Sequence, residues 1–235
     1  LGDLNNITAI QVAESTSVVL TSQLGASLAT KFASENSTFG ELKFSGYSNQ
    51  DLAPIAHNFI VNVTSTSEGA VTLDPAKLND VDKLAISAST NASLSTDADA
   101  TDFTSLTDAG SLEVQSNGTL ALSQANAKKL EAKLSGTGQV NVSAVDATVA
   151  LNIADTLDVG VTLADNGANA YTINHTNLAK ADRINVSGSD VFTVTSSDNS
   201  AVDLEQLKSL NLSSGADLKV DPGATSEIPN LQAIT

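Results

Sequence analysis

The feature that most restricts the fold of this chain is a short pattern that keeps returning. Apolar–polar–apolar triplets occur at Leu84-Ala85-Ile86, Leu112-Glu113-Val114, Leu120-Ala121-Leu122, Val140-Asn141-Val142, Ile184-Asn185-Val186, Leu210-Asn211-Leu212 and Leu218-Lys219-Val220. A period of two sends one side of a strand inward and the other outward. Most triplets run into clusters of Ser, Gly, Asn or Asp, which supply turns. Between many of them lies a second pattern. Asp74-Pro75 opens a helix-like stretch to Lys83, with an N-capping Asp and Pro at the first helical position. Ser123 to Lys133 and Asp203 to Lys208 read the same way. Such stretches are too short to stand alone, so their leucines must be pinned against something larger.

Together these patterns define a unit of strand, short helix, strand and turn. Ala70–Ser89, Asn117–Gly138, Ala168–Ser189 and Asp190–Gly215 are clear copies, while Asn91–Ser116 and Gln139–Gly167 are looser ones. A unit this small cannot bury its own apolar face, whereas stacked copies can. The expectation is therefore a mainly β chain, a β-solenoid of stacked 20–29-residue coils with short helices on one edge. An antiparallel β-sandwich is the alternative, since it also uses short strands and regular turns. No linker marks a boundary, so residues 1–235 read as one solenoid domain. Residues 1–40 are the least regular part, a candidate N-terminal cap with Ile7–Val12 strand-like and Val18–Phe32 helical.

Composition narrows the function. The chain has 235 residues with 27 acidic and 11 basic side chains, a net charge of −16. That field repels phosphate backbones and anionic membranes, which excludes nucleic acid as a partner. No apolar run approaches the roughly 18 residues of a membrane span. Without cysteine there is no disulfide frame, no thiolate-ligated metal and no thiol chemistry. Hydrophobic residues still reach 41%, enough to build a core. The chain opens at Leu1, lacks Met, and ends at Ile228–Thr235 on what reads as an interrupted strand and turn, so a piece of a longer surface protein is expected.

A resemblance adds to this. The run from Gly118-Thr119-Leu120-Ala121-Leu122-Ser123-Gln124-Ala125-Asn126-Ala127 to Leu134-Ser135-Gly136-Thr137-Gly138-Gln139-Val140-Asn141-Val142-Ser143 resembles β-strand repeats of large bacterial surface proteins. These are S-layer subunits and giant adhesins exported by type I secretion, in which a T-L-x-L-S-x-A-x-A segment leads through a short helix to S-G-x-G-x-V-x-V. The similarity spans about Ala70 to Val220. It implies an extracellular structural module at the bacterial cell surface. Unpaired strand edges, with Pro222 and Pro229 interrupting pairing after Ala216–Val220, separately lead us to expect neighbouring domains or subunits of the same protein as partners, with cell-surface polysaccharide as a further one. The Gly-Gly-x-Gly-x-Asp calcium nonapeptide that often accompanies such proteins is absent, so calcium does not follow from the resemblance.

Candidate chemistry is sparse. His57 and His175 sit in turn-like contexts with no nucleophile motif beside them. Asp80 with Asp82, and Asp155 with Asp158, are close carboxylate pairs of the kind a polysaccharide-degrading solenoid uses as acid and base. The single arginine, Arg183, and ten scattered lysines are a poor supply of cations for holding an acidic substrate, so no catalytic residue is assigned. Calcium is the candidate cofactor. Asp97, Asp99 and Asp102 are its expected ligands, followed by Asp165 and Asn166, because closely spaced carboxylates suit a hard cation with six to eight oxygens. Nine Asn-x-Ser/Thr sequons occur, and Asn62, Asn141, Asn185 and Asn211 are placed in one outward slot of the repeat. The function expected is structural, with a carbohydrate-binding or polysaccharide-degrading solenoid as the alternative.

Overall fold

The computed structural model describes residues 6–33, 40–55, 59–94, 103, 106, 110–143, 145, 151–163, 170–186, 191–195, 206–212, 217–220 and 233–234. Among the described residues the fold is mainly β, with parallel sheets. Parallel neighbours cannot be joined by a tight hairpin. The antiparallel sandwich therefore does not match. Among the described residues no helix is long and apolar enough to cross a membrane.

The chain forms two compact units, Leu1–Thr119 with Lys133–Gly136, and Leu120–Ala132 with Thr137–Thr235. The first holds β1 (Ile10–Gln11), β2 (Ser17–Thr21), β3 (Phe32–Ala33), β4 (Glu41–Tyr47), β5 (Ile60–Ser65), β6 (Gly69–Leu73), β7 (Lys83–Ile86), β8 (Thr90–Leu94) and β9 (Leu112–Val114). β10 (Thr119–Ser123) opens the second unit, and β11 (Leu134–Gly136) belongs to the first. The second continues with β12 (Gln139–Ser143), β13 (Asp158–Leu163), β14 (Ala170–Asn174), β15 (Arg183–Val186), β16 (Val191–Thr195), β17 (Ser209–Leu212), β18 (Asp217–Val220) and β19 (Ala233–Ile234).

In the first unit the main sheet runs β11-β9-β7-β5-β4-β2, while β6 pairs with β8 and β1 with β3. In the second the order is β19-β17-β15-β13-β12-β10, beside a sheet β14-β16-β18. From β5 to β9, and again from β13 to β19, consecutive strands alternate between two sheets. Within these two stretches each strand is bonded to the next strand but one and not to the strand it leads into, whereas β4 pairs directly with β5 and β12 with β13. Backbone partners lie some twenty residues apart in sequence: Asp82 N–H donates to Val61 O, 21 residues back, and Asp182 N–H to Val159 O, 23 residues back.

Register turns the triplets into rows. Phe44, Val63, Leu84, Leu112 and Leu134 are successive partners in the first unit, and all are buried. Val142, Val161, Ile184 and Leu210 form the matching row in the second, also buried. Stacked aliphatics of this kind remove their surface from water jointly, at about 25 cal/mol per Å². The expected inward set holds for Val142, Ile184, Val186 and Leu210, but Leu212 is only half-buried. Asn141, Asn185 and Asn211 lie on the outward side as expected, though not in one slot. Asn185 and Asn211 are partners, and the Asn211 amide donates to Asn185 Oδ1 at 2.6 Å. Asn141 instead pairs with Gly160, in the row of Arg183, two residues earlier along the strand.

The helical inserts follow their caps. α1 (Ser22–Leu28) starts where Thr21 Oγ1 accepts from Leu24 N–H, and α2 (Gln124–Leu130) where Ser123 Oγ accepts from Asn126 N–H, both at 3.3 Å. Each buries its last leucine, Leu28 or Leu130. The helix expected over Val18–Phe32 therefore begins four residues late. Ser17-Val18-Val19-Leu20-Thr21 is strand, because β-branched residues in alternation pair with Glu41 to Ser45 before Thr21 caps the helix. Ile7–Val12 contributes only the two-residue β1. The turn expected after Asp74 is a 3-10 helix, Pro75–Lys77, with Asp74 Oδ1 accepting from Ala76 N–H. His175–Asn177 repeats it, with Asn174 Oδ1 accepting from Thr176 N–H. Of the third expected helical turn, residues 203–205 lie outside the described residues.

Candidate functional site

The densest polar chemistry in the second unit grows from the segment Ile173–Val186. After the 3-10 turn, Leu178 N–H bonds His175 O and Ala181 N–H bonds Leu178 O, which delivers Asp182 to the start of β15. Asp182 is 7% exposed. Its backbone N–H donates to Val159 O, its Oδ2 accepts from Val159 N–H at 2.8 Å, and its Oδ1 meets Lys208 Nζ at 2.7 Å. A buried carboxylate is tolerated here because both oxygens are engaged. The first unit carries the same device in Leu73–Ile86: Leu78 N–H bonds Pro75 O, Val81 N–H bonds Leu78 O, and Asp82 Oδ2 accepts from Val61 N–H at 2.7 Å. The signal was visible as Asp-Lys-Leu-Ala-Ile and Asp-Arg-Ile-Asn-Val, a carboxylate and a base immediately before a triplet.

Asp182→Ala leaves the Val159 amide without its side-chain acceptor and Lys208 without its partner. The expected cost is about 1–3 kcal/mol in urea denaturation, and Asp82→Ala should act likewise in the first unit. An unchanged midpoint in both would show that the carboxylates do not hold the strand starts. The hydrogen bond from Lys208 to Asp182 raises the lysine above its ordinary value of 10.5. The pair's contribution is therefore present below that pH and lost as pH rises through the raised value.

Beside it, Arg183 lies across two strands. Its Nε donates to Asp158 Oδ1 at 2.9 Å and its Nη2 to Asn141 Oδ1 at 3.0 Å. Gly160 stands between Asn141 and Arg183 in register, and a Cβ there would fall 2.8 Å from Asn141 Oδ1 and 2.9 Å from Arg183 Nη2. The guanidinium thus occupies the space a side chain would fill. Asp155 is taken by Lys180 Nζ at 2.6 Å and by Gln206 Nε2 at 3.3 Å. Asp155 and Asp158 are consequently each tied to a separate cation. An acid–base pair needs one carboxyl pushed up, yet the Lys180 hydrogen bond, then that of Gln206, holds Asp155 below its ordinary value of 3.8. Its contribution is complete above that value and fades as pH falls through the lowered one. Carboxyl NMR titration should find Asp155 returning upward in Lys180→Ala. No movement would mean the contact does not persist in solution.

In the first unit, Glu14, Ser15, Thr16, Ser17, Glu41 and Ile60 line a groove of about 370 Å³. Glu41 is already engaged, by Lys43 Nζ at 2.8 Å and by Asn62 Nδ2 at 2.6 Å. Tyr47 is buried, with its phenol near Asp74. Burial, with the nearby Asp74 charge, pushes it above its ordinary value, which keeps it neutral.

His175 opens the 3-10 turn half-buried, whereas His57 lies outside the described residues. Asp97, Asp99 and Asp102, and likewise Asp165 and Asn166, also lie outside them. Among the described residues no group of three or more His, Asp or Glu gathers as a metal site. No family model, curated protein or solved structure matches the chain.

Proposed function

We propose that each unit is a β-solenoid of 20–29-residue coils, and that the chain is a structural module of an extracellular bacterial surface protein of S-layer or adhesin type. The observation that carries the reading is the alternation of consecutive strands between two parallel sheets, with aliphatics stacked in register inside. A fold of that kind grows by repeating one coil, and its strand edges favour end-on continuation. The outward side supports it. Asn211 with Asn185, Arg183 with Asp158 and Asn141, and Lys180 with Asp155 brace neighbouring coils rather than converge on one reacting atom. The role is non-catalytic. Calcium at Asp97, Asp99 and Asp102 belongs to the proposal on sequence grounds, as a bridge in lateral contacts.

Electron microscopy of the complete natural polypeptide, with calcium and with chelator, tests it. Ordered sheets or filaments are expected with calcium. A protein that stays monomeric in both conditions and depolymerises an acidic polysaccharide would overturn the structural reading in favour of a solenoid enzyme.

A further inference from the structure

The lysines that look scattered along the sequence are not scattered on the first unit. It contains five, Lys31, Lys43, Lys77, Lys83 and Lys133. Register places Lys43 beside Asn62, and Asn62 beside Lys83. The ladder continues through backbone bonds from Leu84 N–H to Ser111 O and from Leu112 N–H to Lys133 O. Lys43, Asn62, Lys83, Ser111 and Lys133 therefore follow one another along one row of the main sheet, a lysine on every second strand. That spacing is about 9.6 Å at the usual distance between strands. The row itself holds no carboxylate, in a chain of net charge −16. Glu41 and Glu113 stand in the rows on either side. Glu41 pairs with Lys43, but no ion pair engages Lys83 or Lys133 among the described residues.

A second observation falls on the same row. Asn62 Oδ1 and Ser111 Oγ are buried side-chain atoms with no hydrogen-bond partner among the described residues. They occupy the two positions between lysines. Buried polar atoms are usually paired, and leaving one unpaired is costly.

We infer that this row binds a linear acidic polysaccharide laid across the strands, with one carboxylate on every second sugar. Two extended sugar rings span about two strand spacings, so successive carboxylates meet Lys43, Lys83 and Lys133. Sugar hydroxyls reach Asn62 and Ser111 as the flexible lysine stems swing outward. Sparse cations suit such a chain. A nucleic acid carries denser charge and meets the repulsion of the whole protein. The inference names a glycan partner for the surface module, and rests on that reading only for where the partner is found.

Hyaluronan, which carries one carboxylate per disaccharide, is the probe. Dextran is the neutral control and a single-stranded polynucleotide the other polyanion, all titrated calorimetrically against the 235-residue chain. Hyaluronan should bind, weakening with salt, and K83Q/K133Q should weaken it roughly tenfold through two lost exposed contacts. K128Q/K129Q removes the same charge from α2 and should change it little. Unchanged melting temperatures for both variants establish that each is folded. No binding of hyaluronan, equal loss in the two variants, or preference for the polynucleotide would overturn the inference. Lattice formation is read separately by microscopy, so a failure of either result leaves the other standing.

Discussion

Ile184→Asp unfolds the second unit. Ile184 is fully buried, with Val161 and Leu210 as register partners on either side and Val142 one strand further. A carboxylate there loses its water and gains no donor, since the neighbouring strands present aliphatics at that level. The combined loss of apolar burial and solvation should exceed about 4 kcal/mol, a large part of the 5–15 kcal/mol of an ordinary domain. Circular dichroism should show the cooperative melt of the second unit shifted far down or absent. Ile184→Val removes one methylene and should cost only about 1 kcal/mol. Asn185→Asp, one residue along, keeps an acceptor for the Asn211 amide and should stay within about 0.5 kcal/mol. If Ile184→Asp melted like Asn185→Asp, the inward and outward sides of β15 would be exchanged.

The contrast between those neighbouring positions was legible in the sequence, because a triplet such as Ile184-Asn185-Val186 encodes its own inward and outward sides. Every triplet read as strand lies in one. What the triplets do not encode is which strand lies beside which. Short alternating strands serve an antiparallel sandwich as well as parallel sheets, and only the direction of pairing separates them. The same gap displaced Asn141, whose sequon looks like that of Asn185 but whose partner is Gly160. Val18–Thr21 was missed because a leucine- and serine-rich stretch suits helix until its β-branched residues find partners in β4. The lysine row could not be read from spacing, since Lys43, Lys83 and Lys133 stand 40 and 50 residues apart and meet only through register. The strand-start role of Asp82 and Asp182 was also legible, since each precedes a base and a triplet in the same order, but Asp82 was read only as half of a carboxylate pair with Asp80.

Gly136→Ala is expected to cost about 3–5 kcal/mol, through backbone strain and collision together. Gly136 ends β11 with φ of 109°, where L residues with a Cβ are rarely found. It is also the register partner of Val114. A Cβ would lie 2.1 Å from Val114 O and 2.8 Å from its carbonyl carbon, and neither atom can rotate away as a side chain would. Relief would require β9 and β11 to part, exposing Leu134 and Leu112 at the end of the buried row. Gly46 provides the comparison: its φ is 71°, yet nothing lies within 4 Å of a Cβ placed there. Gly46→Ala should therefore carry the conformational term alone, about 1 kcal/mol. Denaturant midpoints of the two variants separate strain from collision. Equal shifts would mean that the approach of β11 to Val114 is looser in solution. A much larger shift for Gly136 would give a physical reason for the first glycine of the Ser135-Gly136-Thr137-Gly138 sequence: the chain must turn there against a neighbouring backbone that leaves no room for a side chain.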